Sequence, residues 1–219
     1  MNIAIVLSGG KGTRFGSNIP KQYVDLNGKP VIEYALDAVL HANTIDEIVL
    51  VIDNEYLDYV KERNNSKIHL VPNGKERVFS VKNALDYIKQ NYDNCENILI
   101  TQAVSPFVTS DLIDAYIDLL SEYDVVTTAQ KCPGEIFNIE NYEKIDRNKY
   151  YFCQSPEAFK FNDLYNYLDT DSKYSELIYH YPNEPKIHFY LDFHDNVKLT
   201  YKADLDYSKF LLKTKSEKL

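Results

Sequence analysis

Short apolar runs alternate with amphipathic stretches along roughly the first 130 residues of the chain. Five apolar runs are predicted strands: Ile3–Ser8, Glu47–Ile52, Lys67–Val71, Asn97–Thr101 and Asp124–Ala129. Four stretches between them are predicted helices from their spacing and capping residues, namely Pro30–Ala42, Asn54–Glu62 (capped by Asn54), Glu76–Tyr92 and Ser110–Tyr123. Continuously apolar strands are typical of a sheet that is covered on both faces. We therefore predict an α/β fold with a mostly parallel sheet and helices on both faces.

The regular pattern loosens in the second half of the chain. Residues 131–155 show no clear period and include Pro133 and Gly134, so we expect an arm or hairpin there. The segments that complete the fold are Ser155–Leu168, Lys186–Leu191, Asn196–Thr200 and Ala203–Lys213. Since neither repeats nor a low-complexity linker interrupt residues 1–219, we expect a single domain with one excursion.

Composition excludes several classes of protein. A net charge of −9 argues against a nucleic-acid-binding surface, because phosphate backbones require basic faces. No apolar run approaches the roughly 18 residues that span a bilayer, so we expect no membrane partner. Three cysteines without a C-x-x-C pair indicate free thiols in a reducing cytoplasm.

Glycine is concentrated in one loop. Four of the seven glycines lie in Leu7–Gly16, directly after the first predicted strand. In open parallel sheets ligands bind beyond the carboxyl ends of the strands, which predicts a site among the loops at 8–22, 72–80, 101–107 and 192–200. A glycine-rich loop at such an edge exposes backbone N–H groups to an anion.

Four interpretations of this loop compete. A dinucleotide fingerprint requires G-x-G-x-x-G and an immediate helix, whereas Gly10, Gly12 and Gly16 are spaced one residue wider and the helix begins near residue 30. The protein class that goes with this first interpretation is a dehydrogenase-like module, which would use Asp53 to hold a ribose, but the glycine spacing is wrong for it. A P-loop is excluded because no Gly-Lys-Ser/Thr follows. The third interpretation adds the downstream Lys21 and favours a triphosphate; the fourth is a structural turn with solvated basic residues.

Several segments, in order, resemble the cytidylyltransferases that form CDP-alcohols, in particular those for 2-C-methyl-D-erythritol 4-phosphate and ribitol 5-phosphate. The pattern L-S-G-G-x-G-T-R-F-G precedes P-K-Q, and Asn73–Asn83 resembles the family's G-x-x-R-x-x-S-V-x-N segment. Ala103–Phe107, Asp146–Phe159 and Asp195–Leu205 resemble D-A-V-R-P-F, D-R with Q-T-P-Q-x-F, and N-I-K-x-T with D-L. The resemblance covers nearly the whole chain and implies a Rossmann-like nucleotidyltransferase fold with a protruding dimerisation arm.

The resemblance implies roles on the nucleotide side. Arg14 and Lys21 are the implied catalytic residues, which hold the α-phosphate of CTP and stabilise the charge of the transition state. The implied CTP-binding residues are Ser8, Gly9, Gly10, Lys11, Gly12 and Thr13 around the phosphates, and Gly74, Lys75 and Ser80 near the base. Arg77 is expected to brace the base-reading loop, and Mg²⁺ is expected to accompany CTP.

The resemblance also implies an acceptor side. Arg147 and Lys198 would hold the acceptor phosphate, and Ser105 occupies the position of an acceptor-side arginine. In the family, the residue that matches Arg147 comes from the neighbouring subunit. This implies a homodimer and agrees with an unpatterned arm at 131–155.

Four departures from the family pattern leave two hypotheses open. Gln102 stands where the family has an aspartate near the magnesium ion, and an amide oxygen binds a hard cation more weakly. Ser105 replaces the arginine, Cys132-Pro133 replaces a D-T element, and Ser175–Leu177 stands for T-D-A. The protein is either an active cytidylyltransferase with a polyol phosphate such as ribitol 5-phosphate, or an unusual phosphate, as acceptor, or a weak or silent CTP-binding relative that acts as a scaffold.

Overall fold

The computed structural model describes residues 1–10, 12–57, 60, 65–182 and 184–216. The strands are β1 (Asn2–Leu7), β2 (Glu47–Ile52), β3 (Ile68–Pro72), β4 (Asn97–Gln102), β5 (Val125–Lys131), β6 (Ile136–Phe137), β7 (Lys144–Ile145), β8 (Tyr151–Lys160) and β9 (Ile187–Tyr190). The α-helices are α1 (Val31–His41), α2 (Arg77–Asn91), α3 (Ser110–Leu119), α4 (Phe161–Tyr167) and α5 (Lys202–Ser216). Short 3₁₀ helices span Thr13–Phe15, Lys21–Tyr23, Asn54–Tyr56, Arg147–Lys149 and Leu177–His180.

Seven strands form one sheet in the order β3-β2-β1-β4-β8-β5-β9. The pairs β1–β2, β1–β4, β2–β3 and β5–β9 are parallel, and β8 runs antiparallel to both of its neighbours. This confirms the predicted α/β fold with a mostly parallel sheet. Strand β2, which follows β1 in the chain, lies on one side of β1, and β4 lies on its other side. The strand order therefore reverses at β1, and in open sheets ligands bind in the crevice at such a point.

Helices cover both faces of the sheet, as the continuously apolar strands predict. Alternate residues of β1 point to opposite faces, so Ala4 and Val6 pack in one core while Ile3 and Ile5 pack in the other. The first core contains apolar residues of α1 and α3, and the second contains residues of α2 and α4. A third, smaller cluster joins Phe15 of the glycine-rich loop to Leu199 and Leu205.

Several predicted boundaries require correction. Within the predicted helix Asn54–Glu62, residues Asn54–Tyr56 form a 3₁₀ helix and Val60 is helical, while 58, 59, 61 and 62 lie outside the described residues. The cap is Asp53 rather than Asn54, because the Oδ1 of Asp53 accepts a hydrogen bond from the N–H of Glu55 at 3.1 Å. Asp53 thus serves the local backbone. The fourth predicted helix, Ser110–Tyr123, ends at Leu119. The segment 196–200, for which no secondary structure was predicted, adopts none that is regular.

The predicted arm is a small hairpin. Strands β6 and β7 pair antiparallel in a separate two-stranded sheet, and β8 already begins at Tyr151, so the excursion spans residues 132–150. Its apolar side chains are exposed, 57% for Phe137 and 86% for Ile139. A role for this hairpin in dimerisation stays a prediction.

The three cysteines Cys95, Cys132 and Cys153 are free thiols, as expected. Within the described ranges, none of the helices has both the length and the apolar character needed to cross a membrane.

Candidate active site

A cleft of about 410 Å³ opens at the carboxyl ends of β1 and β4. Its walls come from four loops, represented by residues 7–22, 73–80, 102–104 and 198–200. These fall within the four loops that sequence analysis selects, apart from Leu7 at the strand end. The position agrees with the general location of ligand sites in open α/β sheets.

The glycine-rich loop has a backbone that only glycine adopts readily. Gly12 and Gly16 have φ values of 59° and 71°, in the left-handed region. A Cβ atom on Gly9 would lie 2.7 Å from the Cβ of Asn73, so the loop approaches the 73–80 segment too closely for a side chain. The loop thus presents bare backbone along one wall of the cleft.

Gln22 fixes this loop from below. Its side chain is 2% exposed, and its Nε2 donates to the carbonyl oxygens of Ser8 at 2.7 Å and Gly10 at 3.3 Å. These two hydrogen bonds hold the Ser8 and Gly10 carbonyls and so fix the course of the backbone along the cleft. Gln22 belongs to the P-K-Q motif but had no predicted role, although its position next to Lys21, an expected catalytic residue, is a signal that could have identified it.

The 73–80 loop is held by its own side chains. The backbone N–H of Gly74 donates to the Oγ of Ser80 at 3.0 Å, and a Cβ on Gly74 would lie only 2.3 Å from that of Phe79. Ser80 therefore positions the loop in addition to lining the cleft. Lys75 also lines the cleft, and its Nζ lies 4.3 Å from the ring centre of Phe79.

Five cationic residues line the cleft: Arg14, Lys21, Lys75, Arg77 and Lys198. The Nζ of Lys21 donates to the carbonyl oxygen of Leu199 at 2.6 Å, which ties the two sides of the cleft together. Burial lowers the pKa of Lys21 from its usual value, and the nearby charges of Lys198 and Arg14 lower it further. Repulsion within such a cluster of like charges raises the free energy of the empty cleft, and the same charges are complementary to a bound polyphosphate.

The segment that contains Lys198 is fastened at three points. Asn196 Nδ2 donates to the carbonyl oxygen of Ser155 at 2.9 Å, and the N–H of Leu199 donates to the carbonyl oxygen of Val104 at 2.9 Å. The Oδ2 of Asp204 accepts from the N–H of Thr200 at 2.7 Å. These contacts place the Lys198 side chain at the cleft, where desolvation and then the charge of Arg77 lower its pKa.

Arg77 connects the 73–80 loop to β8 and to the segment at 175–176. Its Nη2 donates to Glu157 Oε2 at 2.6 Å, and its Nη1 donates to the carbonyl oxygen of Ser175 at 2.7 Å and lies 3.8 Å from Glu176 Oε2. Arg77 is thus more than the local brace that the sequence suggests. No role was predicted for Glu157, because its partner Arg77 lies 80 residues away along the chain.

The remaining predicted site residues fall into three groups. The structure does not bring Ser105 to the cleft, since its side chain is 1% exposed in the turn after β4, and this removes it from the ligand contacts that we expected. Arg147 stands on the hairpin, where its Nη1 donates to the carbonyl oxygen of Pro133 at 3.2 Å, and it does not line this chain's cleft. Lys11 lies outside the described residues, and for Thr13 only the backbone is described.

The cleft offers few ligands for a metal ion. No group of three or more His, Cys, Asp or Glu side chains suited to a metal is present among the described residues. Gln102 and Glu76 both line the cleft and supply one amide and one carboxylate oxygen. This donor set fits Mg²⁺, which binds one or two protein oxygens when phosphates and water complete its shell.

The fold recurs in solved structures. A 4-diphosphocytidyl-2C-methyl-D-erythritol synthase from Anaerococcus prevotii superposes with a TM-score of 0.79 at 24% identity, over 96% of each chain. A bifunctional protein from Campylobacter jejuni gives a TM-score of 0.78 over 94% of this chain and 54% of its own. At this level of identity the likeness establishes the fold, that of the α/β nucleotidyltransferases.

Sequence comparison narrows the class to a family. The model of the 2-C-methyl-D-erythritol 4-phosphate cytidylyltransferase family matches residues 2–214, and the chain belongs to this family. A relative of that name from Thermosipho melanesiensis is 35% identical over 75% of each chain. Another from Clostridium beijerinckii is 30% identical over 96% of this chain and 97% of its own length. The protein is accordingly a nucleotidyltransferase of the CTP-dependent cytidylyltransferase class.

Proposed function

We propose that the protein transfers CMP from CTP to a phosphorylated small alcohol and releases pyrophosphate. The observation that supports this most directly is the convergence of Arg14, Lys21 and Lys198 on one cleft beside the glycine-rich loop. Both kinds of group that the reaction requires line the same space, namely bare backbone for the triphosphate and cationic side chains for the phosphates.

The reaction is an in-line displacement. A phosphate oxygen of the acceptor attacks the α-phosphorus of CTP, a new P–O bond forms, and the bond to the β-phosphate oxygen breaks. Arg14 and Lys21 oppose the negative charge that develops on the α-phosphoryl oxygens, and fixed cations at such positions contribute strongly to rate. No covalent enzyme intermediate is needed.

The two cleft lysines have different duties in this scheme. Lys21 is anchored at Leu199 and surrounded by other cations, so it gains most when a polyanion binds. Lys198 stands on the opposite wall, where it can meet the acceptor phosphate. Gly74 and Ser80 hold the loop that faces the base.

The acceptor named by the relatives is 2-C-methyl-D-erythritol 4-phosphate, and we propose it as the first substrate to test. Ribitol 5-phosphate and other polyol phosphates come next, because Ser105 and Cys132-Pro133 depart from the family's acceptor side. Pyrophosphate release with CTP and Mg²⁺ should appear for one member of this panel. CTP binding without turnover of any acceptor would favour a silent relative instead.

We propose that Mg²⁺ enters with CTP. When bound it would neutralise phosphate charge, and Gln102 and Glu76 are the residues that could contribute oxygen ligands. Gln102→Asp should lower the Mg²⁺ concentration that gives half-maximal turnover, because a carboxylate binds the ion more tightly than an amide. An unchanged Mg²⁺ dependence would show that Gln102 does not face the ion.

We propose a homodimer in which Arg147 reaches the neighbouring cleft. Support comes from the exposed hairpin and from the distance of Arg147 from its own cleft lining. Arg147→Ala and Lys21→Ala variants, each inactive alone, should regain turnover on mixing, because one site of a mixed dimer is intact. Absence of any regained activity in confirmed mixed dimers contradicts this assignment.

A further inference from the structure

We propose that Arg77 is a positioning residue: by neutralising the buried Glu157 it keeps Lys198 free to meet the acceptor phosphate. The inference rests on the proposed function only for the identity of that phosphate. It concerns three residues on three different elements, α2, β8 and the 196–200 segment.

The first observation is the burial of a carboxylate beside the cleft. Glu157 is 3% exposed and lies in β8, between the two halves of the sheet. A buried carboxylate requires a cation or it becomes neutral. Its ion pair is with Arg77 Nη2 at 2.6 Å.

The second observation is that a second cation lies within the field of the same carboxylate. Burial raises the pKa of Glu157, and the nearby charge of Glu176 raises it too. The positive charges of Arg77 and Lys198 act in the opposite direction and favour the ionised carboxylate. Within the described part of the chain, Lys198 Nζ has no hydrogen-bond or ion-pair partner, although it lines the cleft. Lys198 is therefore the cation that could replace Arg77 at Glu157.

The third observation is the geometry that gives Arg77 priority. The guanidinium group uses one nitrogen for Glu157 and another for the carbonyl oxygen of Ser175 and for Glu176. A planar fork can hold all three acceptors at once, whereas the flexible lysine offers a single point charge. Occupation of both carboxylates by Arg77 leaves the amine of Lys198 to external anions.

Loss of Arg77 should therefore redirect Lys198. In Arg77→Gln the buried carboxylate is unpaired, and Lys198 is expected to turn away from the cleft toward it. The KM for the acceptor should rise about tenfold while the KM for CTP changes less than about threefold, since only an acceptor contact is removed. In the double variant Arg77→Gln/Glu157→Gln the attraction is gone, and the acceptor KM should return to within about threefold of wild type.

Two further variants separate charge from shape. Arg77→Lys keeps the charge that neutralises Glu157, so its acceptor KM should stay near that of wild type even if the Ser175 contact is lost. Lys82→Gln serves as the control, because Lys82 is a cation on the same helix whose ion pair is with Asp86, away from the cleft. Thermal unfolding of every variant records stability separately.

A readout that needs no acceptor keeps this inference distinct from the proposed function. Acylation of Lys198 by an amine-reactive ester, followed by mass spectrometry, reports how free its amine is. Labelling should fall in Arg77→Gln, recover in the double variant, and rise in Glu157→Gln, with Lys75 as the internal reference. If wild type turns over no acceptor but labelling follows this order, the proposed function is wrong and the inference stands.

Two results would overturn the inference. One is unchanged Lys198 labelling in both Arg77→Gln and Glu157→Gln, which would show that the three groups are not coupled. The other is a double variant that regains the thermal stability of wild type without regaining its acceptor KM or its Lys198 labelling, which would make the Arg77–Glu157 pair structural.

Discussion

The two walls of the cleft are built by different means. On the proposed nucleotide side, the glycine-rich loop and Gly74 are shaped by backbone that tolerates no side chain, with Gln22 and Ser80 holding it in place. On the proposed acceptor side, the segment around Lys198 is positioned by side chains that bond to distant elements, among them Asn196 and Lys21. One wall is defined by sterics, and the other by hydrogen bonds and charge.

This difference teaches where function can vary. A wall made of close backbone contacts accepts few substitutions, so it suits a ligand that does not change, such as the phosphates of CTP. A wall made of side-chain contacts can be altered one residue at a time. The departures at Ser105 and Cys132-Pro133 lie outside the lining of the cleft, one buried behind it and the other on the hairpin.

The largest expected effect is that of Lys21, the residue that joins the two walls. Lys21→Ala removes a cation from the transition state and the hydrogen bond to Leu199, and should lower kcat by more than about tenfold. Steady-state kinetics with CTP and the active acceptor measure it, with circular dichroism to confirm folding. A folded variant with unchanged kcat would remove Lys21 from the catalytic residues.

The steric character of the nucleotide wall is tested by adding one methyl group. A Cβ on Gly74 would lie 2.3 Å from Phe79 Cβ, so Gly74→Ala should lower the free energy of unfolding by about 1–3 kcal/mol and weaken CTP binding. Gly134 on the hairpin has no atom within 4 Å of such a Cβ, so Gly134→Ala is the matched control. Equal stability of the two variants in urea unfolding would contradict this account.

The role of Gln22 is tested by an apolar replacement of similar length. Gln22→Met keeps the buried volume but removes the donors to the Ser8 and Gly10 carbonyls, so the Kd for CTP should rise by roughly three- to tenfold. Calorimetric titration with CTP measures this. The control is Gln90→Met, because Gln90 is exposed. A Gln22→Met variant that binds CTP as tightly as Gln90→Met would show that Gln22 does not hold the loop.

The smallest effect concerns protons. The pKa of Lys21 and that of Lys198 are lowered, by burial first and by neighbouring cations next. Bound CTP should raise both toward their usual value, so CTP binding takes up protons at alkaline pH and weakens as pH rises through the lowered pKa values. Calorimetry in buffers of different ionisation enthalpy measures the uptake, which should shrink in Lys21→Met; no uptake in wild type would contradict the cationic crowding.

The same contrast explains what could be predicted from the sequence. The strands, most of the helices and the glycine-rich loop follow from local spacing, because each depends on neighbours in the chain. The partnership of Arg77 with Glu157, the anchoring of Asn196 at Ser155 and the burial of Ser105 depend on which strands become adjacent. The placement of β8 between β4 and β5 decides the first two, because Glu157 and Ser155 lie on β8, and no local pattern specifies that placement.

The antiparallel direction of β8 determines where the hairpin joins the sheet. Because β8 runs antiparallel to β5, Lys131 and Tyr151 pair directly, and Cys132 Sγ donates to the carbonyl oxygen of Tyr150 at 3.5 Å. The hairpin therefore leaves and re-enters the sheet at neighbouring positions, on the same edge as the cleft. A change in hairpin length that keeps this pairing would leave the register of β5 and β8 unchanged, so the hairpin could vary without moving the strands that support the cleft.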